Sequence, residues 1–168
     1  IVGVHESRKL TLAADLLVRI SNGFLSDVLR RGDMARKLGS SLLLHSLPHA
    51  LCDRVLLIGL GKEREFRAKE YREAIRASIR ALAQTSANEA VSYLTELSVK
   101  KHEVEWMVEQ ATVATLDVLY RFDQFKSKPD ESARGLRKLT LAVPRRSDLA
   151  DGEKGLARGL AIAGGMSF

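Results

Sequence analysis

Three features of the sequence predict an α/β fold with a mixed β-sheet covered by helices on both faces. Strand-length apolar runs alternate with segments of helical apolar period through most of the chain. Two of those runs, 41–47 and 54–60, are separated by only six residues, too few for a crossover helix, so they are expected to pair antiparallel. The composition is that of a folding chain: 168 residues, 45% apolar and 29% charged, with 12 Gly and 3 Pro, enough for one core and unlike a disordered, collagenous or disulfide-framed protein.

Taken in order, Ile1 to Val4 reads as a strand, and Leu12, Ala13, Leu16, Leu17 and Ile20 recur at helical spacing to make one apolar face. After Ser21-Asn22 a second helix is expected to turn Phe24, Leu25, Val28 and Leu29 inward, with Gly32 placed to end it in a left-handed cap. Residues 33–39 connect to Ser41–Leu47 and Arg54–Leu60, whose near-continuous apolar character is that of strands covered on both faces. A helix over 68–84 carries a core stripe of Tyr71, Ile75, Ile79 and Leu82, with Arg72, Arg76 and Arg80 on a different, solvated side. Glu89–Glu96 reads as a strand through Val91 and Tyr93, and Lys101–Phe122 as a long helix with Val104, Met107 or Val108, Ala111, Thr115 and Val118 at the right period. A polar loop over 126–132 follows, then a strand over 136–143 stopped by Pro144, and a last helix from Asp151 to Ala163.

Lys and Arg total 27 against 21 acidic residues, a net charge of +6, which invites a nucleic-acid partner. The cations are mixed with Glu along helices, as on an ordinary solvated surface. Any phosphate contacts are assigned to Arg30, Arg31, Arg36 and Lys37 near the second helix, and to Arg72, Arg76 and Arg80. The lone cysteine, Cys52, forms no internal bridge, which favours a reducing, cytoplasmic compartment. No apolar run approaches the roughly 20 residues needed to span a bilayer.

Every chemical candidate has a simpler reading. The four histidines, His5, His45, His49 and His102, lack the spacing of a zinc site; His45 and His49 share a loop with Cys52 and Asp53, but no recognisable ligand interval completes a set. Cys52 lies three residues from His49 without the arrangement of a nucleophile and its base, and no serine sits in a Gly-x-Ser-x-Gly elbow. Gly59-Leu60-Gly61-Lys62, at a strand end, is the most suggestive element, since a glycine turn can offer backbone N–H groups to phosphate. It lacks the third glycine of a dinucleotide fingerprint and the spacing of a phosphate loop, so a tight strand exit is favoured. The acid pairs Glu63 with Glu65 and Glu103 with Glu105 read as solvated charge, and Tyr93, Trp106, Tyr120 and Phe122 as packing. No catalytic, cofactor-binding or metal-binding residue is assigned.

Longer stretches are more specific. Ile20-Ser21-Asn22-Gly23-Phe24-Leu25 with Leu29-Arg30-Arg31-Gly32-Asp33, then Leu42-Leu43-Leu44-His45, Val55-Leu56-Leu57-Ile58-Gly59-Leu60-Gly61-Lys62-Glu63, Leu94-Thr95-Glu96-Leu97, Tyr120-Arg121-Phe122-Asp123-Gln124 and Gly159-Leu160-Ala161-Ile162-Ala163 occur in that order. Together they resemble the amino-terminal domain of the bacterial leucyl aminopeptidase, or cytosol aminopeptidase, family. The resemblance implies a three-layer, macro-domain-like fold with a mixed sheet between helices. It also implies an accessory or assembly role in a cytoplasmic homohexamer, whose two divalent metal ions, Mn or Zn, and peptide substrates belong to a following catalytic domain absent from this chain. Residues 1–163 are read as that amino-terminal domain, lacking an earlier strand, and 164–168 as a truncated linker in which Met166-Ser167-Phe168 is foreign or divergent. Some bacterial members also bind DNA, the alternative function carried by the net charge. ADP-ribose binding follows from fold analogy alone.

Overall fold

The computed structural model describes residues 1–7, 9–125 and 135–165; the polar loop read at 126–132 and the terminal Met166-Ser167-Phe168 lie outside them. The chain divides into two units, Ile1–Ser78 and Ile79–Phe168.

The first unit is built on β3 (Arg54–Gly61), which runs between β1 (Val2–His5) and β2 (Ser41–His45). β1 pairs with β3 in parallel and β2 antiparallel, so the sheet is mixed, and the short connection does make a hairpin, closed by Ser46 N–H donating to the Asp53 carbonyl at 3.1 Å. β3 is buried from Val55 through Leu60. The expectation that both runs are covered on both faces fails for β2, an edge strand of only partly buried leucines that stops at His45. Strand alternation sends Val55 and Leu57 to one side, where Val2, Val4, Ala14, Leu25, Leu29, Met34 and Leu47 complete a core cluster. Leu56, Ile58 and Leu60 take the other side, and Leu60 fits because Gly3 has no Cβ: one built there would lie 2.7 Å from Leu60 Cδ1.

Helices α1 (Leu12–Ile20) and α2 (Phe24–Arg30) follow β1. Thr11 caps α1, accepting from Ala14 N–H at 3.3 Å while its hydroxyl donates to the Gly3 carbonyl at 2.8 Å. The expected apolar face of α1 is present but only partly used. Ala14 is buried and Ala13, Leu17 and Val18 pack against the core, whereas Leu12 (77% exposed), Leu16 (55%) and Ile20 point to the surface. Phe24 is also exposed, contrary to the inward placement expected of it, because α2 turns Leu25, Val28 and Leu29 to the core. Gly32 adopts φ +76°, the left-handed conformation expected after α2.

Helix α3 (Ala68–Ala83) crosses the division between the units and buries Tyr71, Ile75, Ile79 and Leu82, the stripe its i+4 period predicts. In the second unit, β4 (Glu89–Ser92) and β5 (Lys138–Leu141) pair in parallel as a separate two-stranded sheet, with Glu89 opposite Lys138 and Ser92 opposite Leu141. β4 is shorter than expected: the chain turns at 94–96, and Val91 and Tyr93 are exposed rather than packed. Thr95 hydroxyl donates to the Ala142 carbonyl and Ala142 N–H to the Ser92 carbonyl, which ties that turn to the end of β5. Between the strands runs α4 (Val104–Phe125), and after β5 comes α5 (Leu149–Gly165), which extends through Gly164 and Gly165, where a linker was expected. No helix among the described residues is long and apolar enough to cross a membrane.

Candidate functional site

The glycine turn at the end of β3 is occupied by the protein itself. Gly59 N–H donates to the Ser40 carbonyl at 2.8 Å, and its own carbonyl accepts from Gly39 N–H at 3.0 Å. A Cβ at Gly59 would be driven into the Lys37 carbonyl and the Ser40 hydroxyl, so this glycine exists to let the 36–40 segment lie against the strand. Gly61, at φ +71°, donates to the Arg36 carbonyl at 3.0 Å and accepts from Glu6 N–H at 2.9 Å. The N–H groups of Gly59 and Gly61, which a phosphate would need, are thus engaged within the fold.

The histidines do not converge. His5 packs edge-on against Phe66, with ring centroids 5.3 Å apart, and its Nδ1 lies 3.3 Å from the Gly61 carbonyl oxygen. His45 ends β2 and His49 sits in the hairpin loop at φ +62°, both exposed. His102 stacks on Trp106 with centroids 3.7 Å apart. Among the described residues no group of three His, Cys, Asp or Glu side chains is placed to hold a metal ion. Two acidic groups stand away from their ordinary state, both through burial: the Tyr71 phenol, fully buried, is pushed far up, and the Glu96 carboxyl is raised.

The seven cations fall on α2 with its following loop and on α3. Arg30 is exposed and holds Asp27 at 2.6 Å; Arg31 is exposed. Arg36, at φ +57°, is a structural tie, donating through Nη1 to the Ser7 carbonyl and through Nη2 to the Leu29 carbonyl, each at 3.2 Å. The Lys37 carbonyl accepts from the Ser40 hydroxyl at 2.6 Å. Arg72 and Arg76 are half-buried rather than solvated as expected, Arg76 lying 3.9 Å from Glu73, and Arg80 is exposed.

The most developed arrangement in the second unit is one the sequence reading did not single out, the contact of α5 with α4. Gly152, Gly155, Gly159 and Ala163, spaced three, four and four apart, are the buried positions of α5 among its described residues. A Cβ at Gly155 would be driven into the Glu105 carbonyl oxygen, and one at Gly159 would lie 2.6 Å from Thr112 Cβ and 2.9 Å from the Glu109 carbonyl oxygen. The two helices therefore meet at backbone distance along Glu105, Val108, Glu109 and Thr112 of α4. Arg158 clamps the edge of this seam, its Nη1 3.2 Å from Glu105 and its Nε 3.6 Å from Glu109. At the start of α5 the buried Asp148 carboxylate accepts from Arg145 N–H at 3.2 Å and from its Nε at 3.3 Å, negative charge at the helix end that favours it. Leu149, Leu156, Leu160 and Ile162 of α5 are exposed, alongside the exposed charges of Asp151, Glu153, Lys154 and Arg158. The spacing of the glycines was the signal available in the sequence.

The model of the cytosol aminopeptidase family, N-terminal domain, matches residues 1–129. The probable cytosol aminopeptidase of Chromobacterium violaceum is 80% identical over all 168 residues, which make up 32% of that protein. That of Dechloromonas aromatica is 56% identical over the same 168 residues, 34% of its length. The chain thus spans about a third of the length of the curated relatives it matches. Among solved structures, the bottromycin maturation enzyme BotP in complex with Mn superposes with a TM-score of 0.63 over 96% of this chain and 28% of its own, at 21% identity, a likeness of fold.

Proposed function

From the premise that this chain belongs to the cytosol aminopeptidase family, as its N-terminal domain, we propose that it is the accessory and assembly domain of a metal-dependent leucyl aminopeptidase. The observation that carries the reading is the 80% identity running through the whole chain while covering only 32% of the relative. The parent, in this reading, releases amino-terminal residues from peptides in the cytoplasm as a homohexamer. Its two divalent ions, Mn or Zn, would activate water and polarise the scissile carbonyl when bound. The described residues of this chain do not fit those ions, since its histidines and carboxylates form no ligand cluster, so the ions are assigned to the remainder of the parent. A macro-domain-like, three-layer arrangement, with residues 1–163 as the domain, belongs to the same proposal.

The test compares the purified 168-residue chain with the full-length parent on leucine p-nitroanilide, with host peptidases controlled for. Activity is expected only in the parent and is lost on chelation. Hydrolysis by the short chain alone overturns the reading. A DNA-binding role has the net charge of +6 in its favour. It predicts binding that weakens steeply with salt and on charge reversal at Arg72, Arg76 and Arg80; no binding at low salt removes it.

A further inference from the structure

The mixed sheet of the first unit ends on a strand with one bare edge. β2 closes the order β1-β3-β2 and pairs only with β3 among the described strands. The ladder fixes which backbone groups lie on its other edge. Gly59 N–H donates to the Ser40 carbonyl and Ser46 N–H to the Asp53 carbonyl, and by the two-residue alternation of an antiparallel pair Leu42 and Leu44 aim their N–H and C=O groups at β3 as well. Ser41, Leu43 and His45 aim theirs outward, where they meet no partner among the described residues. Edge strands are ordinarily kept from pairing by charge, proline or a bulge. Residues 41–45 hold no Lys, Arg, Asp or Glu, no proline and no break in register.

We propose that this edge docks a second copy of the chain, the two β2 strands pairing antiparallel about a two-fold axis at Leu43. The unpaired N–H and C=O groups call for a strand, and the symmetry of the row Ser-Leu-Leu-Leu-His selects a copy of itself. Centred on Leu43, the pairing sets Ser41 opposite His45, Leu43 opposite Leu43 and His45 opposite Ser41, and each of these pairs exchanges two backbone hydrogen bonds, about six in all. Leu42 and Leu44 pack on the core cluster but are only half-buried, and on that face each stands opposite the other's counterpart in the second copy, which covers its open flank. No like charges face each other across the axis. The same patch serves both copies, so the contact closes at two. This inference stands on the strand edge and goes beyond the aminopeptidase reading, on which it does not depend.

The test uses the 168-residue chain in a Cys52→Ser background, which removes its one natural thiol. Leu43→Cys is expected to form a disulfide dimer on mild oxidation, since residues paired across the axis have Cα atoms about 5.5 Å apart, within disulfide reach. Ser41→Cys and His45→Cys, both at exposed positions, are expected to cross-link when mixed at least about tenfold faster than either does alone, because each meets the other and lies about 13 Å from its own copy along the strand. Residue-resolved amide exchange of the wild-type chain, needing no substitution, is read at two concentrations about a hundredfold apart. The outward Leu43 and His45 amides are expected to slow at the higher concentration while Leu42 and Leu44 stay unchanged. Equal cross-linking of the single variants and the mixture overturns the proposal, even where the chain dimerises, since the contact then lies elsewhere. Outward amides that exchange fast at both concentrations overturn it too. Slow exchange at both with no cross-link between copies puts a segment of the chain's own on the edge and has the same consequence.

Discussion

Replacing Gly159 with alanine sets two opposed effects against each other. In an exposed helix the change is favourable by about 1 kcal/mol, because alanine loses less backbone entropy and is the better helix former. At Gly159 the added carbon would sit 2.6 Å from Thr112 Cβ, about 0.8 Å inside the 3.4 Å at which ordinary contact begins, and 2.9 Å from the Glu109 carbonyl oxygen. Neither atom belongs to the far end of a flexible side chain, so relief requires α5 to move away from α4 along the seam. Overpacking of this kind costs about 3 kcal/mol at the upper end of its usual range. The net expectation is a loss of about 2 kcal/mol. Trp106, the one tryptophan of the chain, lies on α4 and reports the unfolding directly in a urea titration. Gly164→Ala, on the same helix with nothing within 4 Å of the added carbon, is the control and should be neutral or up to about 1 kcal/mol stabilising. If Gly159→Ala stabilises the chain as Gly164→Ala does, the backbone-distance seam is wrong.

Gly59→Ala should destabilise by about 3 kcal/mol or more, since its methyl would meet the 36–40 backbone segment; thermal unfolding indistinguishable from wild type would show that segment to lie elsewhere. Thr115→Val should stabilise by about 1 kcal/mol, because the buried Thr115 hydroxyl has no hydrogen-bond partner among the described residues and valine keeps its shape; a loss in urea titration would mean that the hydroxyl is satisfied. Tyr71 gives a pH dependence of definite sign. Burial raises its folded-state pKa above the unfolded value near 10, so the stabilisation it carries is whole below about pH 10 and falls above it, by at most about 1.4 kcal/mol per pH unit. Stability of Tyr71→Phe measured from pH 9 to 11 should decline less steeply than that of wild type, and parallel slopes would contradict a buried phenol.

Local patterns carried the parts of this fold that local physics decides. The stripe of α3 follows from its i+4 repeat, the hairpin of β2 and β3 from a connection too short for anything else, and the end of α2 from a glycine free to adopt φ +76°. The face of α1 shows where such reading stops. Leu12, Leu16 and Ile20 and the neighbouring Ala13, Ala14 and Leu17 make overlapping apolar stripes, and periodicity reveals that a face exists without saying which side meets the core. The pairing of β4 with β5, about 50 residues apart, is a non-local choice that no short window contains. At the glycine turn, the sequence offered two free N–H groups and the fold closed both, through a loop some 20 residues upstream. The seam of α4 and α5 was legible in the spacing of its glycines, but those residues bear no functional group by which a chemical site is recognised.

Five glycines in the 17 residues of α5 also govern when that helix can exist. Each forfeits about 1 kcal/mol of intrinsic preference relative to alanine, so the segment as a free peptide is a coil by several kcal/mol. Its helicity is borrowed from α4, which a ribosome releases first and which must present its groove before the glycines have anything to close upon. The helical state of α5 therefore depends on its packing against α4, and substitutions that open the seam are expected to loosen α5 more than α4.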